Sequence, residues 1–338
     1  VTHVVTLIPG DGIGPEITDA VTEVLAAADA LVTWDRRLAG MAALEATGDP
    51  LPADTLESAQ RNRAVLKGPL TTPVGGGYRS VNVALRRELD LFANVRPART
   101  IVPGGRFEDV DLVLVRENTE GLYIGHETLI AVNGDPRAVA QSTAVLTRHG
   151  CERVVRYALD YAVANGRRRV TVVHKANILK ATSGLFLDVA REVAEGYDGH
   201  VEVNDVIIDA CAMKLVLDPG QFDVLVTTNM FGDILSDEIA GLVGGLGLAP
   251  GANVGETAAL FEAVHGSAPA IAGRGIANPT ALLLAACMLL DHLGERETAT
   301  RVRTAVIRTL RDDAVRTRDL GGHATTRELA LAVVRRLA

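Results

Sequence analysis

The chain has 338 residues, 48% of them hydrophobic and 22% charged. That is ample for a large core, usually divided over two domains, and it excludes a disordered protein. The net charge of −8 at pH 7 argues against a general nucleic-acid binder but leaves room for a local basic pocket around an anionic small molecule.

The N-terminal "HVVTLI" reads as a strand running into a turn, not as a signal peptide. The turn "PGDGIGPE" (9–16) opens a helix in which Pro15 suits the first turn and Ile17, Val21, Val24 and Leu25 share one face. It is not G-x-G-x-x-G, and no acid sits at the usual ribose position after a second strand. A tight turn whose glycines permit positive φ explains it adequately. In "KGPLTTPVGGGYRSVNVALRRELDLFANVRPAR" (67–99), three glycines adjoin Ser80 and Asn82, followed by Arg86, Arg87 and Arg96. A helix over 80–90 places Arg86 one to two turns beyond Ser80 and Asn82. Hydroxyl, amide and guanidinium groups in that order suit a multiply charged carboxylate. The alternative is a solvated helix face, which is the reading for Arg87 and Glu88.

Further strands are predicted at 111–115, 169–173, 201–208 and 223–228, with helices at 150–164 and 183–195, an α/β pattern with a substantial parallel component. Polar residues follow these strands: Arg116-Glu117-Asn118, His174-Lys175-Ala176-Asn177, Asp209 and Asn229. Open α/β sheets place their ligands just past strand C-termini. The three cysteines, Cys151, Cys211 and Cys287, are far apart and outside any CxxC pair. They are expected as reduced core thiols of a cytoplasmic protein, and no Cys/His spacing suggests zinc. The charge-free stretch 239–255 is too short and too rich in Gly and Pro to span a membrane, and "TALLLAACMLL" (280–290) reads as a buried helix.

The segment "TTNMFGDILSDEIAGLVGG" (227–245) holds Asp233 and Asp237 four residues apart, on one helical face. Asp233 could favour a helix N-terminus while Asp237 faces water. Two facing acids also repel unless a cation lies between them, and Mg²⁺ or Mn²⁺ prefers such oxygen ligands. The segment alone leaves both readings open.

Taken together, "IPGDGIGPE", "KGPLTTPVGGGYRSVNVALRRELDLFANVRP", "VRENTEGLYIG", "VHKANILKATSGLF", "NMFGDILSDEIAGLVGGLGLAPGANVG" and "FEAVHGSAPAIAGRGIANPTA" resemble the decarboxylating 2-hydroxyacid dehydrogenases. These are the isocitrate, homoisocitrate, 3-isopropylmalate and tartrate enzymes, and the resemblance covers nearly the whole chain. It implies an α/β, isopropylmalate dehydrogenase-like two-domain fold distinct from the Rossmann fold. A discontinuous large domain (1–92 and 244–338) would bind the cofactor. A small domain (93–243) would carry the metal site and a dimer arm (126–147), and a homodimer would share its active sites.

The resemblance also implies the site. Asp233 and Asp237, joined by Asp209 of a partner subunit, would bind Mg²⁺ or Mn²⁺. Lys175 would handle the C2 hydroxyl proton and Tyr123 the final protonation. Thr72, Ser80, Asn82, Arg86, Arg96, Arg116 and Asn177 would hold a hydroxy-di- or tricarboxylate. The Ser80-x-Asn82 pair has the isocitrate form, whereas isopropylmalate enzymes carry apolar residues there. Thr71, Glu262, His265, Gly266, Ser267, Ala268 and Asn278 match the cofactor site. NAD enzymes usually carry Asp at Ala270 and NADP enzymes carry Lys there. Ile271 and Ala277 are NAD-like, so NAD is expected, with NADP as the alternative and Arg274 as its phosphate partner. Neither nucleic acid nor membrane is an expected partner. The rival readings are the same chemistry on a related 2-hydroxy acid, homoisocitrate, 3-isopropylmalate, tartrate or a secondary-metabolism isocitrate analogue; a non-catalytic regulatory subunit; and a metal-dependent phosphate-ester hydrolase.

Overall fold

The computed structural model describes residues 2–73, 78 and 80–337; the three glycines at 75–77 lie outside them. In chain order the elements are β1 (His3–Ile8), α1 (Gly14–Ala27), β2 (Val32–Arg36), α2 (Met41–Thr47), α3 (Ala53–Asn62), β3 (Ala64–Lys67), α4 (Val81–Glu88) and β4 (Ala93–Arg99). There follow β5 (Asp111–Glu117), β6 (Glu127–Val132), β7 (Asp135–Ser142), α5 (Arg148–Ala164), β8 (Arg169–His174), α6 (Thr182–Ala194), β9 (Glu202–Ile207), α7 (Ile208–Leu217) and β10 (Val224–Thr227). The chain closes with α8 (Asn229–Leu242), β11 (Pro250–Val254), β12 (Ala259–Ala263), α9 (Thr280–His292), α10 (Arg296–Arg311) and α11 (Thr326–Leu337).

The chain divides into two compact units, one of residues 1–91, 96–110 and 239–338, the other of 92–95 and 111–238. The expected boundaries differ from these, since residues 96–110 and 239–243 belong to the first unit and Phe92 to the second. That unit is discontinuous and contains both chain ends.

In the first unit the strands run β2-β1-β3-β12-β11. The first three pairings are parallel and β11–β12 is antiparallel. Ile17, Val21, Val24 and Leu25 of α1 are buried, as their spacing predicts. Helix α9 is buried on nearly all sides, with Leu282, Leu283, Leu284, Leu289 and Leu290 all in the core. It packs on β11 and β12, and α10 covers it. This explains an apolar run with no polar face.

In the second unit β5-β10-β8-β9 are wholly parallel. Their inner rows, such as Leu112–Val115 and Val224–Val226, are buried, as strands covered on both faces require. Helix α5 packs against β5, β10 and β8, and α6 against β8. All four strands end at one sheet edge, which collects Arg116, Lys175, Asp209 and Asn229. Strands β6 and β7 form a separate antiparallel hairpin in which every residue is exposed.

Cys151, Cys211 and Cys287 are free and buried, and burial pushes each thiol up to about 12. They are therefore inert packing groups. No described helix is long and apolar enough to cross a membrane.

Candidate active site

The turn after β1 is a structural knot. Buried Asp11 accepts hydrogen bonds from the backbone N–H of Met41 (2.9 Å), Ala42 (3.3 Å) and Thr71 (2.8 Å). Gly12 has φ +59°, and a Cβ there would lie 2.0 Å from the Ser267 carbonyl oxygen. The Ile13 N–H donates to that same oxygen at 2.9 Å. Glu16 accepts from the N–H of Gly275 (3.1 Å) and Ala277 (3.2 Å). Thus "PGDGIGPE" ties the loops at 71 and 265–277 to β1, and its glycines are there for close backbone approach. The Thr71 and Ser267 hydroxyls lie 2.7 Å apart across the same junction.

These ties shape a cavity of about 580 Å³, lined among others by His265, Gly266, Ala268, Ile271, Arg274 and Asn278. Ala268 takes the left-handed conformation (φ +40°) to turn the loop. The Asn278 amide is anchored, donating to Asp319 Oδ2 at 2.8 Å and accepting from the Thr280 N–H at 3.0 Å. His265 Nδ1 lies 3.0 Å from the Gly266 carbonyl, so the proton sits on Nδ1. Burial lowers the imidazole pKa and keeps the ring neutral. Among the described residues its Nε2 is buried without a partner, and it offers an acceptor to an amino group such as that of adenine. This orphaned atom fits an adenine nucleotide. Ala270 is exposed and supplies no acid. Arg318 lines the same cavity as Arg274.

Glu262, matched above to the cofactor site, is placed by register opposite Lys67 on β3. Both side chains are buried. The Glu262 carboxylate meets Lys67 Nζ at 2.8 Å and Arg86 Nη2 at 3.4 Å, and accepts from Asn253 Nδ2 at 2.7 Å. Burial alone would raise its pKa, but Lys67 and Arg86 outweigh that and hold it well below the carboxylate range. The carboxylate is thus already engaged. Lys67 and Asn253 are members of this network that the motifs did not single out; the one signal was a lysine ending the apolar run "AVLK".

Arg86 projects from α4, whose N-cap is Ser80: the Ser80 hydroxyl accepts from the Val83 N–H and from the Thr72 hydroxyl at 3.3 Å. Among the described residues, Arg86 Nε and Asn82 Oδ1 are buried with no partner; the first is a donor open to a carboxylate, the second an acceptor. Arg96 lies half-buried on β4.

In the second unit Arg116 is the penultimate residue of β5, at 1% exposure. Its Nε and Nη2 donate to Asn229 Oδ1 at 3.0 and 2.7 Å, and Nη1 donates to Asp233. The Tyr123 hydroxyl donates to the other oxygen of Asp233, and the Arg116 guanidinium lies 5.1 Å from the Tyr123 ring centre. Glu117 folds the intervening loop by accepting from Thr119 N–H (2.7 Å) and Glu120 N–H (3.0 Å); burial raises its pKa. Gly232 permits the close fit, because a Cβ there would lie 2.6 Å from Arg116 Cγ. This accounts for the glycine before Asp233. Helix α8 begins at Asn229, so Asp233 lies a full turn inside it and is satisfied by side chains rather than by free helix N–H groups. Asp237 is exposed one turn on.

Lys175 follows β8 and is ion-paired with Asp209 in the first turn of α7; the hydrogen bond to Lys175 lowers the Asp209 pKa. Asn177 is exposed beside it. Arg116, Tyr123 and Asp233 are therefore brought together, and Lys175 and Asp209 are brought together. No group of three or more His, Cys, Asp or Glu side chains suited to a metal is present among the described residues. Asp209 is thus not the third carboxylate beside Asp233 and Asp237 of its own chain. Two all-oxygen donors at i and i+4 fit Mg²⁺ or Mn²⁺ once a further carboxylate arrives from elsewhere.

A family model described as isocitrate/isopropylmalate dehydrogenase matches residues 4–333. The chain is 49% identical over 331 residues to an NAD isocitrate dehydrogenase catalytic subunit of Arabidopsis thaliana, covering 97% of this chain and 87% of that one. It is 50% identical over 332 residues to a 3-isopropylmalate dehydrogenase of Archaeoglobus fulgidus, covering 96% and 97%. Among solved structures, an isocitrate dehydrogenase from Methylococcus capsulatus is similar with a TM-score of 0.96 at 56% identity, covering 99% of both chains.

Proposed function

The chain belongs to the isocitrate/isopropylmalate dehydrogenase family of decarboxylating dehydrogenases, and on that premise we propose that it converts isocitrate to 2-oxoglutarate with NAD. The observation that carries the choice of isocitrate is the polar face of α4. Ser80 caps α4 and Asn82 lies in its first turn, a hydroxyl and an amide where an isopropyl pocket would need apolar side chains, while Arg86 one turn on is matched to the core that both acids share. A distal carboxylate satisfies the hydroxyl and the amide. An isopropyl group would leave them desolvated and unpaired, which a polar site rejects strongly.

When bound, the dinucleotide supplies the hydride acceptor and a divalent cation supplies Lewis acidity. The chain's own groups do the rest. Arg116, held on both sides by Asn229 and Asp233, offers a fixed guanidinium to a substrate carboxylate. Lys175, as the free amine and directly or through water, takes the C2 hydroxyl proton, and Tyr123 delivers a proton to carbon after CO₂ has left. His265 and the loop around it receive the adenosine. NAD is favoured by the NAD-dependent relatives, and the neutral Ala270 makes the preference modest. Arg274 and Arg318 on the cavity wall are the partners a 2′-phosphate would use if NADP proved the better cofactor. Ala270→Asp is expected to raise NAD selectivity by accepting from the ribose hydroxyls and repelling that phosphate.

The active form is a homodimer. The β6–β7 hairpin exposes Leu129, Ile130, Val132 and Val139. A two-stranded ribbon with uncovered apolar side chains is marginal by itself. A second copy covers it and brings Asp209 to the Asp233–Asp237 pair. Steady-state assays of isocitrate, homoisocitrate, 3-isopropylmalate and tartrate against NAD and NADP test the reading. The 50% identity to a 3-isopropylmalate dehydrogenase makes that acid the foremost competitor.

A further inference from the structure

His174 is a buried imidazole ending strand β8 after Val172 and Val173, one residue before Lys175. Its Nδ1 accepts from the Ala176 N–H at 3.0 Å, and its Nε2 lies 3.2 Å from Asp205 Oδ2. The other Asp205 oxygen accepts from Arg191 Nη2 at 3.1 Å. Asp205 is paired with Val172 in the β8–β9 register, so it stands diagonal to His174 across the two strands.

We infer that His174, held in a single tautomer by the Ala176 N–H and by Asp205, is a positioning residue for Lys175; this rests on the role proposed above for that lysine. The tautomer follows from the donors. A backbone N–H always donates, so Nδ1 facing Ala176 carries no proton, and the ring proton sits on Nε2, where the Asp205 carboxylate accepts it. The hydrogen bond from residue 176 back to residue 174 closes a ring around the Lys175 backbone. On the other side the Lys175 carbonyl accepts from the N–H of Ile178 (3.0 Å) and Leu179 (2.9 Å). The lysine backbone is therefore clamped on both sides while its ammonium remains partly exposed. A buried imidazole is costly at a strand end unless its nitrogens are used. Both are used here, one on this turn and one on Asp205.

The test combines nitrogen-15 NMR of selectively labelled histidine with kinetics, on the full chain. Eight histidines are present, and His174→Asn identifies the relevant signal by its loss. His174 is expected in the Nε2–H form in the parent and in a mixture of forms in Asp205→Leu. His174→Leu should lower kcat for isocitrate by about tenfold or more, as expected for a misplaced catalytic group, with KM for NAD within about twofold. His174→Asn places an amide oxygen near the Nδ1 position and should recover most of the lost kcat. If His174→Leu fails to fold, the NMR signal of the parent and the kinetics of Asp205→Leu and His174→Asn still decide. An Nδ1–H form in the parent, equal losses in both His174 variants, or parallel changes in kcat and KM for NAD overturn the inference. A parent with no turnover on any of the four acids overturns the proposed activity, and the role of Lys175 with it. A parent that turns over, with His174 variants that behave alike, overturns only the role of His174.

Discussion

Lys175 and Asp209 are ion-paired within one chain, the ammonium just past β8 meeting the carboxylate in the first turn of α7. Both therefore lie on the same side of any site shared between two copies, whereas Asp233 sits with Arg116 and Tyr123. A shared site in itself suggests mixing inactive Lys175→Ala and Asp209→Asn chains to recover activity. The ion pair rules that combination out, because each site of the mixed dimer would still carry one defect.

Lys175→Ala mixed with Asp233→Asn is the pair that should complement. One of the two sites in each mixed dimer is then intact, so after complete subunit exchange roughly a quarter of all sites should be active, as expected for random pairing in a C₂ dimer. Activity of the exchanged mixture checks this. Recovery with Lys175→Ala plus Asp209→Asn, or none with Asp233→Asn, overturns the division of the site.

Gly232 should not tolerate a methyl group. A Cβ there meets Arg116 at 2.6 Å, and overpacking of this kind typically costs about 1–3 kcal/mol. Gly241, in the same helix α8, has nothing within 4 Å of its added Cβ. Gly241→Ala is therefore expected to be stabilising by roughly 0.5–1 kcal/mol from helix propensity. Urea titrations of the two variants should move in opposite directions, and only Gly232→Ala should lose activity.

Strands β5, β8 and β10 and the chemistry at their ends were legible because each is a short buried run that stops at a polar residue, Val115 before Arg116 and Val173 before His174 and Lys175, whereas the parallel strands β2 and β3 were not singled out. Helix α9 was legible from its unbroken apolar composition. The antiparallel β11–β12 pair was not, since "PGANV" and "ALFEA" lack the alternation and branched side chains that mark strands. Lys67 was missed because a lysine after an apolar run looks like a surface residue, and only the register with β12 brings it to Glu262. Arg318 was missed for a similar reason: it is far in sequence from Arg274, and the fold brings both to one cavity. The turn at Asp11 was legible as a turn, but its hold on residues 41, 42 and 71 is a tertiary fact.

Glu262 should make stability fall in acid. Its folded pKa is depressed below the ordinary value of 4.5 by Lys67 and Arg86 against the opposing effect of burial. Its contribution is therefore fully present above that ordinary value. It is lost as pH falls below 4.5 toward the depressed folded pKa. Glu262→Gln should flatten the pH dependence of stability below about pH 5. It should also destabilise the chain at pH 7 by roughly 3–5 kcal/mol, because Lys67 is left as an uncompensated buried charge. Denaturant midpoints from pH 7 down to pH 3 measure both effects, and Lys67→Met with Glu262→Gln should recover part of the loss.

Asn82 should govern the choice of acid. Ser80→Ala removes the N-cap of α4 and costs about 1 kcal/mol of stability whatever the substrate, so Asn82 is the cleaner probe. Asn82→Leu should lower kcat/KM for isocitrate about 10- to 150-fold, the equivalent of about 1.5–3 kcal/mol for a hydrogen bond to a charged group. It should leave malate nearly unaffected and raise 3-isopropylmalate. Equal losses for isocitrate and malate would reduce the polar face of α4 to a structural feature.

The substrate assignment is tested most directly by initial rates of the unmodified chain with isocitrate and with 3-isopropylmalate, each with NAD and with NADP, in Mg²⁺ or Mn²⁺ and again after chelation. Isocitrate with NAD should give the highest kcat/KM, chelation should abolish it, and 3-isopropylmalate should trail by at least about 10²-fold, the discrimination expected when buried polar groups are left unpaired. A higher kcat/KM for 3-isopropylmalate than for isocitrate would show that Ser80 and Asn82 do not read a distal carboxylate.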